Sequence, residues 1–199
     1  MTSSRNMQSM SWGDTIQTVW ISFTLLCPKE KSMRKTALVV LFLTACAWAQ
    51  NPVSDGIRNE LAGVAKKTIG AAEEMPAENY SYKPTEAQVT FGHWPVHATH
   101  ANYFFCSKLT GATAPEVTVK ETDPKDKLVE ALKKSFDYCS EQLPKLQDSQ
   151  LSEEVTMFGG HKMTKGAAVL DLSADWADHY SQMASYLRLK GLVPPTAKK

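Results

Sequence analysis

The amino-acid sequence predicts an all-α protein, a four-helix bundle preceded by a cleaved signal peptide. Three observations carry that prediction. Beyond residue 50 the apolar residues recur at helical spacing in four segments, each closed by proline or glycine. No segment alternates with the period of a strand at any comparable strength. Residues 33–49 set a basic start, an apolar stretch and a small-x-small site in order, the three parts of an export signal. With 199 residues, 43% of them apolar, the chain has enough material for one domain around one core.

The export signal opens at an internal methionine. Met33-Arg34-Lys35-Thr36 leads into an apolar run from Ala37 to Ala47, broken only by Thr44, and Ala47-Trp48-Ala49 then precedes Gln50. The run is too short for a transmembrane helix, which needs about 20 apolar residues. Because a signal peptide works from the end of the chain, residues 1–32 read as an upstream extension from a start site set one methionine too early. A weaker apolar run from Ile16 to Leu26 favours the alternative of a genuine extra segment. Leu43-Thr44-Ala45-Cys46 resembles a lipobox, in which Cys46 is lipidated and becomes the mature N-terminus, and this is the one route by which the sequence leads to a membrane. Cleavage after Ala49 leaves residues 50–199 as an exported domain of 150 residues, with 17 basic and 19 acidic side chains. Its expected place is periplasmic or secreted, or, with Cys46 lipidated, the cell envelope.

Within that domain the first segment carries Ile57, Leu61, Val64, Ala65, Thr68, Ile69 and Ala72 on one face and stops before Met75-Pro76. Asn79-Tyr80-Ser81-Tyr82-Lys83-Pro84 reads as an ordered loop. The second segment runs from about Thr90 to Leu109 and closes at Gly111, with Trp94, His97, Ala101 and Phe104 on one stripe. Pro95 near its start predicts an irregular first turn. The third opens on Asp123-Pro124-Lys125-Asp126, read as an N-cap, a proline at the first helical position and an acid in the first turn. Its stripe is Leu128, Leu132, Ser135, Cys139 and Leu143, so Cys139 points inward. After a polar stretch to Glu154 and Val155-Thr156-Met157-Phe158-Gly159-Gly160, the fourth segment runs from about Thr164 to Lys190. Val169, Leu172, Trp176, Tyr180, Met183 and Leu187 face its core, and Gly191 with Pro194-Pro195 ends it.

Several function classes fall away at this level. Lys and Arg number 22 against 21 Asp and Glu, and neither sign gathers into a block, which disfavours nucleic acid as a ligand. The chain has no internal repeat, no P-loop and no Gly-rich dinucleotide fingerprint. Of four cysteines, Cys27 and Cys46 leave with the leader. Cys106 and Cys139 remain, and two thiols in an exported protein predict a disulfide tying the second helix to the third.

Chemistry concentrates in two ladders. All five histidines lie between His93 and His179, and His93, His97 and His100 share one side of the second helix. Imidazoles at such spacing chelate transition metals inside helix bundles, although exposed helix residues around one core histidine show the same pattern. On the fourth helix Asp171, Asp175 and His179 form a second one-sided ladder, in which Asp175 and His179 make a half-site. An inward His97 facing that pair gives three ligands with open positions for water, the arrangement of catalytic metals. The plainer reading of Asp171, Asp175 and Asp178 is a solvated helix face.

At this point the residues carry a resemblance. Phe91-Gly92, the stretch Ala101-Asn102-Tyr103-Phe104-Phe105-Cys106-Ser107, the Met157-Phe158-Gly159-Gly160 turn and His179-Tyr180-Ser181-Gln182 continuing to Pro194-Pro195 together resemble the DinB-like superfamily, and within it the exported bacterial members. The resemblance spans about Asp55 to Pro195. It implies a four-helix bundle, and in many members a divalent metal held by one histidine of the second helix and a His-x3-His pair of the last. Those positions fall here on His97, Asp175 and His179, with aspartate in place of the middle histidine. The resemblance further implies a metal-dependent transferase or hydrolase. A donor set with aspartate in the middle position can still ligate zinc, nickel, manganese or iron, and His93 or His100 is available as a nearby acid or base. Export argues against a low-molecular-weight thiol as co-substrate, since such thiols are kept reduced in the cytoplasm. Two function classes therefore stand: an exported metalloenzyme acting on a small molecule, and a non-catalytic exported bundle whose pocket binds a small molecule or a protein partner. A homodimer is compatible with either.

Overall fold

The computed structural model describes residues 50–198. The upstream extension, the export signal and the lipobox cysteine lie outside the described residues. Helix α1 spans Pro52–Glu74, α2 His93–Thr110, α3 Lys125–Gln142 and α4 Lys165–Leu189. The four pack around one core, in which Trp176, Tyr186, Phe91, Met75, Met183 and seven leucines (Leu109, Leu128, Leu132, Leu143, Leu146, Leu172 and Leu187) are fully buried. Three of the expected apolar stripes supply the core: Ile57, Leu61 and Val64 from α1, Leu128, Leu132 and Cys139 from α3, and Val169, Leu172, Trp176, Tyr180 and Met183 from α4. The stripe expected on α2 is corrected: of its members only Ala101 is buried, Trp94 and Phe104 are half-buried and His97 is exposed, while Ala98, Phe105 and Leu109 face the core. Among the described residues no helix is long and apolar enough to cross a membrane.

Helix ends follow the punctuation with two corrections. α2 ends at Gly111, whose φ of 75° lies in the left-handed region, and its N–H donates to the Ser107 carbonyl at 2.8 Å. α3 begins one residue later than its capping sequence suggests: Pro124 is the cap, and the Asp123 carboxylate instead accepts the Lys120 N–H at 2.9 Å and pairs with Lys127. The second correction concerns strands. Glu154–Thr156 (β1) and Lys162–Thr164 (β2) form an antiparallel hairpin in which Val155 faces Met163. Three residues per strand, with only the central one half-buried, are too few to print a period of two on the sequence.

The start of α1 depends on a residue far along the chain. The Asp148 carboxylate accepts the Val53 N–H at 3.0 Å, the Ser54 N–H at 2.8 Å and the Ser54 hydroxyl at 2.6 Å. Asn51 returns the contact by accepting the Asp148 N–H at 2.8 Å. Free N–H groups of a first helical turn need such acceptors, and here the loop after α3 supplies them.

The cysteines that the sequence pairs are joined: Cys106 on α2 and Cys139 on α3 form a disulfide, 33 residues apart in sequence and both fully buried. Just beside it a buried polar chain crosses three helices. The Trp176 indole N–H of α4 donates to Asn102 Oδ1 of α2 at 2.7 Å, Asn102 Nδ2 donates to Ser135 Oγ of α3 at 2.9 Å, and the Ser135 hydroxyl donates to the Leu132 carbonyl at 2.7 Å. Every member is paired, so the chain fixes the three helices against one another.

Candidate metal centre

The site is built where the start of α2 meets the middle of α4. α2 enters through Gly92, where a Cβ would meet the Glu121 carbonyl oxygen at 2.7 Å and the Tyr80 carbonyl oxygen at 3.3 Å. Only glycine lets the backbone pass there, and its N–H donates to Tyr80 at 2.8 Å. The first turn is tight, as Pro95 leads one to expect: His93 and Trp94 donate to the Thr90 and Phe91 carbonyls in i→i+3 bonds of 3.2 and 3.1 Å. Pro95 sits third in the helix, where its missing N–H has no ladder partner to lose, and the helix runs on without a break. His97 therefore keeps its register.

His97, Asp175 and His179 come together, with one donor atom from each lying within 4.8 Å of the others. The arrangement is graded rather than wholly interior. His179 is buried, Asp175 half-buried and His97 exposed, so the cluster lies at an open edge of the bundle. The His97 and His179 rings meet edge to face with centroids 4.8 Å apart, and Trp94 packs beside His179 at 6.0 Å.

Asp175 Oδ2 and His179 Nδ1 are 3.2 Å apart, yet their geometry makes no hydrogen bond and neither has another partner, although both atoms are buried. A buried carboxylate oxygen and a buried ring nitrogen that make no hydrogen bond are under-satisfied, and a cation bound by both would satisfy them. Two ligands each about 2.1 Å from one ion at a tetrahedral angle stand roughly 3.4 Å apart, close to the separation seen here. The donor set of two imidazoles and one carboxylate suits zinc, nickel, manganese or iron.

The electrostatics suit a divalent cation. Burial, reinforced by Asp178 and Asp171, pushes the Asp175 carboxyl up to about 6. Burial and the neighbouring His97 pull His179 down to about 4, against the attraction of Asp178. His97 is also lowered, by its own partial burial and then by His93 and His100. At neutral pH the His97 and His179 imidazoles are thus uncharged, the form that metals bind.

The two remaining histidines of α2 part company. His93 stacks on the His97 ring at 5.4 Å, and its Nδ1 lies 3.4 Å from the Glu121 carboxylate, which places it as a support behind His97. His100 instead lines a cavity of about 520 Å³ together with His97, Ala101, Phe105, Phe158 and Asp175. Sequence reasoning missed Glu121 and Phe158 as parts of the site. Nothing in the local pattern marks Glu121, but an aromatic residue directly before Gly159-Gly160 is the signature of a tight turn that presents a ring.

Residues 60–183, more than half of the chain, match the family model described as the DinB superfamily. The chain belongs to the DinB superfamily. It is similar in fold to a crystallographically solved DinB-like protein of Bacillus subtilis, 24% identical, with a TM-score of 0.56 over 68% of this chain and 92% of that one. A DinB-like protein of Bacillus cereus is 19% identical, with a TM-score of 0.60 over 71% of this chain and 95% of that one. No curated protein matches the sequence. In this DinB-superfamily chain Asp175 stands four residues before His179, with its carboxylate turned toward that ring.

Proposed function

We propose that this DinB-superfamily protein is an exported metal-dependent enzyme of the hydrolase or transferase type, holding one divalent transition metal through His97, Asp175 and His179. The observation that carries the reading is the buried Asp175 Oδ2 and His179 Nδ1, which face each other without a hydrogen bond beside His97, with Asp175 and His97 opening onto a cavity. When bound, such a metal supplies Lewis-acid activation of a substrate oxygen at the coordination positions that the protein leaves open. The chain's own groups do the rest. Two neutral imidazoles and one carboxylate leave a divalent ion with net positive charge, Trp94 shields the His179 side, and His100 in the cavity wall is within reach of a reacting group as acid or base.

Export is part of the same reading. It is supported by the signal at residues 33–49 and by the Cys106–Cys139 bond, which belongs in an oxidising compartment. There water is the abundant nucleophile and reduced small thiols are scarce, which favours hydrolysis over thiol transfer.

Metal analysis of the purified full chain, before and after supplementation, tests the proposal. Wild type is expected to retain about one metal per chain and His179→Ala none, while His100→Ala retains it. Asp175→His is expected to bind more tightly, because it adds a third imidazole. Equal metal content in wild type and His179→Ala sinks the metal reading, and the non-catalytic binding bundle then leads.

A further inference from the structure

The cavity beside the three residues is lined by two unlike sets of side chains. His97, His100 and Asp175 are polar and include two of the proposed ligands, and Ala101, Phe105 and Phe158 are apolar. Phe158 is 67% exposed, among the most exposed of the large apolar side chains, yet the fold holds its ring in one place. The ring stacks on Phe104 with centroids 3.7 Å apart and planes 17° from parallel, so one face is covered and the other is free. Phe104 in turn meets Phe105 edge to face at 5.7 Å.

The turn that carries Phe158 is closed by a Met157 N–H to His161 carbonyl bond of 2.7 Å and by Gly160 N–H to the Met157 carbonyl at 3.2 Å. Gly159 and Gly160 follow with φ of 67° and 79°, values that side-chain-bearing residues rarely adopt. At the base of the hairpin the buried Lys165 ammonium pairs with Glu153 at 2.8 Å, and the Lys165 N–H donates to the Glu153 carbonyl at 2.8 Å. The anchored hairpin thus presents the free face of a phenyl ring to the same cavity that His97 and Asp175 line, where an apolar group seated in the cavity would cover it.

We propose that this cavity receives the apolar, preferentially aromatic, end of a small-molecule substrate whose other end ligates the metal, and that Phe158 is the residue that sets this preference. The claim rests on the metal reading above and deepens it by naming a substrate class: a compound with an oxygen-bearing, metal-ligating head one short spacer away from a flat or branched apolar group. The volume of about 520 Å³ lies within the range of small-molecule sites. Ala101, the small residue between His97 and Phe105 on the same helix side, leaves the room for such a group. The phenyl wall offers stacking to a ring, and an aliphatic group gains burial alone.

Two chelating probes that differ only in their tail test this on the zinc-loaded full chain. Affinities of acetohydroxamate and benzohydroxamate are measured by calorimetry in wild type, Phe158→Ala and Phe158→Trp, with zinc content determined for each. In wild type the phenyl probe is expected to bind about tenfold more tightly than the methyl probe. In Phe158→Ala that advantage falls to within about twofold while acetohydroxamate affinity and zinc content stay unchanged, and in Phe158→Trp it returns. Zinc retained and acetohydroxamate bound with no phenyl preference, or a preference that survives Phe158→Ala, overturns the subsite and leaves the metal centre standing. A chain that retains no zinc overturns the metal reading, and the subsite falls with it.

Discussion

The two halves of α2 are built on opposite plans. From Ala101 to Thr110 the helix is fastened at every turn: Asn102 bridges α4 and α3, Cys106 is bonded to α3, and Leu109 is fully buried. From His93 to His100 the same helix carries three imidazoles, two of them exposed, and the Trp94 indole N–H is buried without a partner. Five residues, about one and a half helical turns, separate His97 from Asn102. The fastened half therefore acts as a handle that aims the polar half at α4. A site mounted on a helix whose next turn is locked is held more precisely than one on a loop, and its exposed donors are free of any duty to the core.

That division is broken most directly at the disulfide. Closing a loop of 33 residues stabilises the fold by about 3 to 4 kcal/mol on the chain-entropy account. Cys106→Ala combined with Cys139→Ala is expected to lower the thermal midpoint by roughly 10 °C in circular dichroism. In metal-free protein, replacing His93 and His97 together by alanine should move it by no more than about 2 °C, since surface positions contribute little. A reduced protein that melts with the oxidised one would show that α2 is held by packing alone, and the contrast between its halves would lose its basis.

A smaller perturbation sharpens the comparison by asking whether the handle aims the site. Asn102→Ala strands the Trp176 indole N–H and removes the donor to Ser135, at a cost of about 1 to 3 kcal/mol. Trp176 is the neighbour of Asp175 in sequence, so the loss is expected to reach the ligands as well, weakening metal affinity by about tenfold. Urea denaturation and metal titration of the variant read the two effects separately. Lost stability with metal affinity unchanged would mean that the polar chain only glues the helices.

The sequence lays out the handle more fully than the site. Apolar spacing places Ile57, Leu132, Trp176 and their neighbours in the core because burial acts on a face, and a face repeats every few residues. His97, Asp175 and His179 are readable as two ladders for the same reason, since each pair of rungs lies on one helix. What joins the ladders leaves no such trace. Asp148 caps a helix that begins 96 residues earlier, Glu121 backs His93 from a loop, and Phe158 reaches α2 from a hairpin of three-residue strands. Each is one side chain meeting another across the fold, with no repeat to betray it. The graded exposure of the centre escapes for a related reason: spacing says which side of α2 carries His97, but the neighbouring helices decide how far that side is covered.

The weakest expected effect lies farthest from the site and concerns the long-range cap. Burial opposes ionisation of Asp148, but the Ser54 hydroxyl and N–H, the Val53 N–H and the nearby Arg58 together hold its carboxyl below the ordinary carboxylate value of 3.8. The folded protein then binds fewer protons than the unfolded chain over that range. The cap's contribution is thus fully present above an ordinary carboxylate pKa and is lost as pH falls through the lower, folded value. Urea denaturation of wild type from pH 5 to pH 3 is expected to show falling stability, and Asp148→Asn, whose amide does not titrate, should fall less steeply over the same interval. Because the cap joins α1 to the loop after α3, metal content at neutral pH should be the same in both proteins. An Asp148→Asn profile that parallels wild type would assign the acid sensitivity to other carboxylates, and a change in metal content would show that the site feels α1 as well as the locked half of α2.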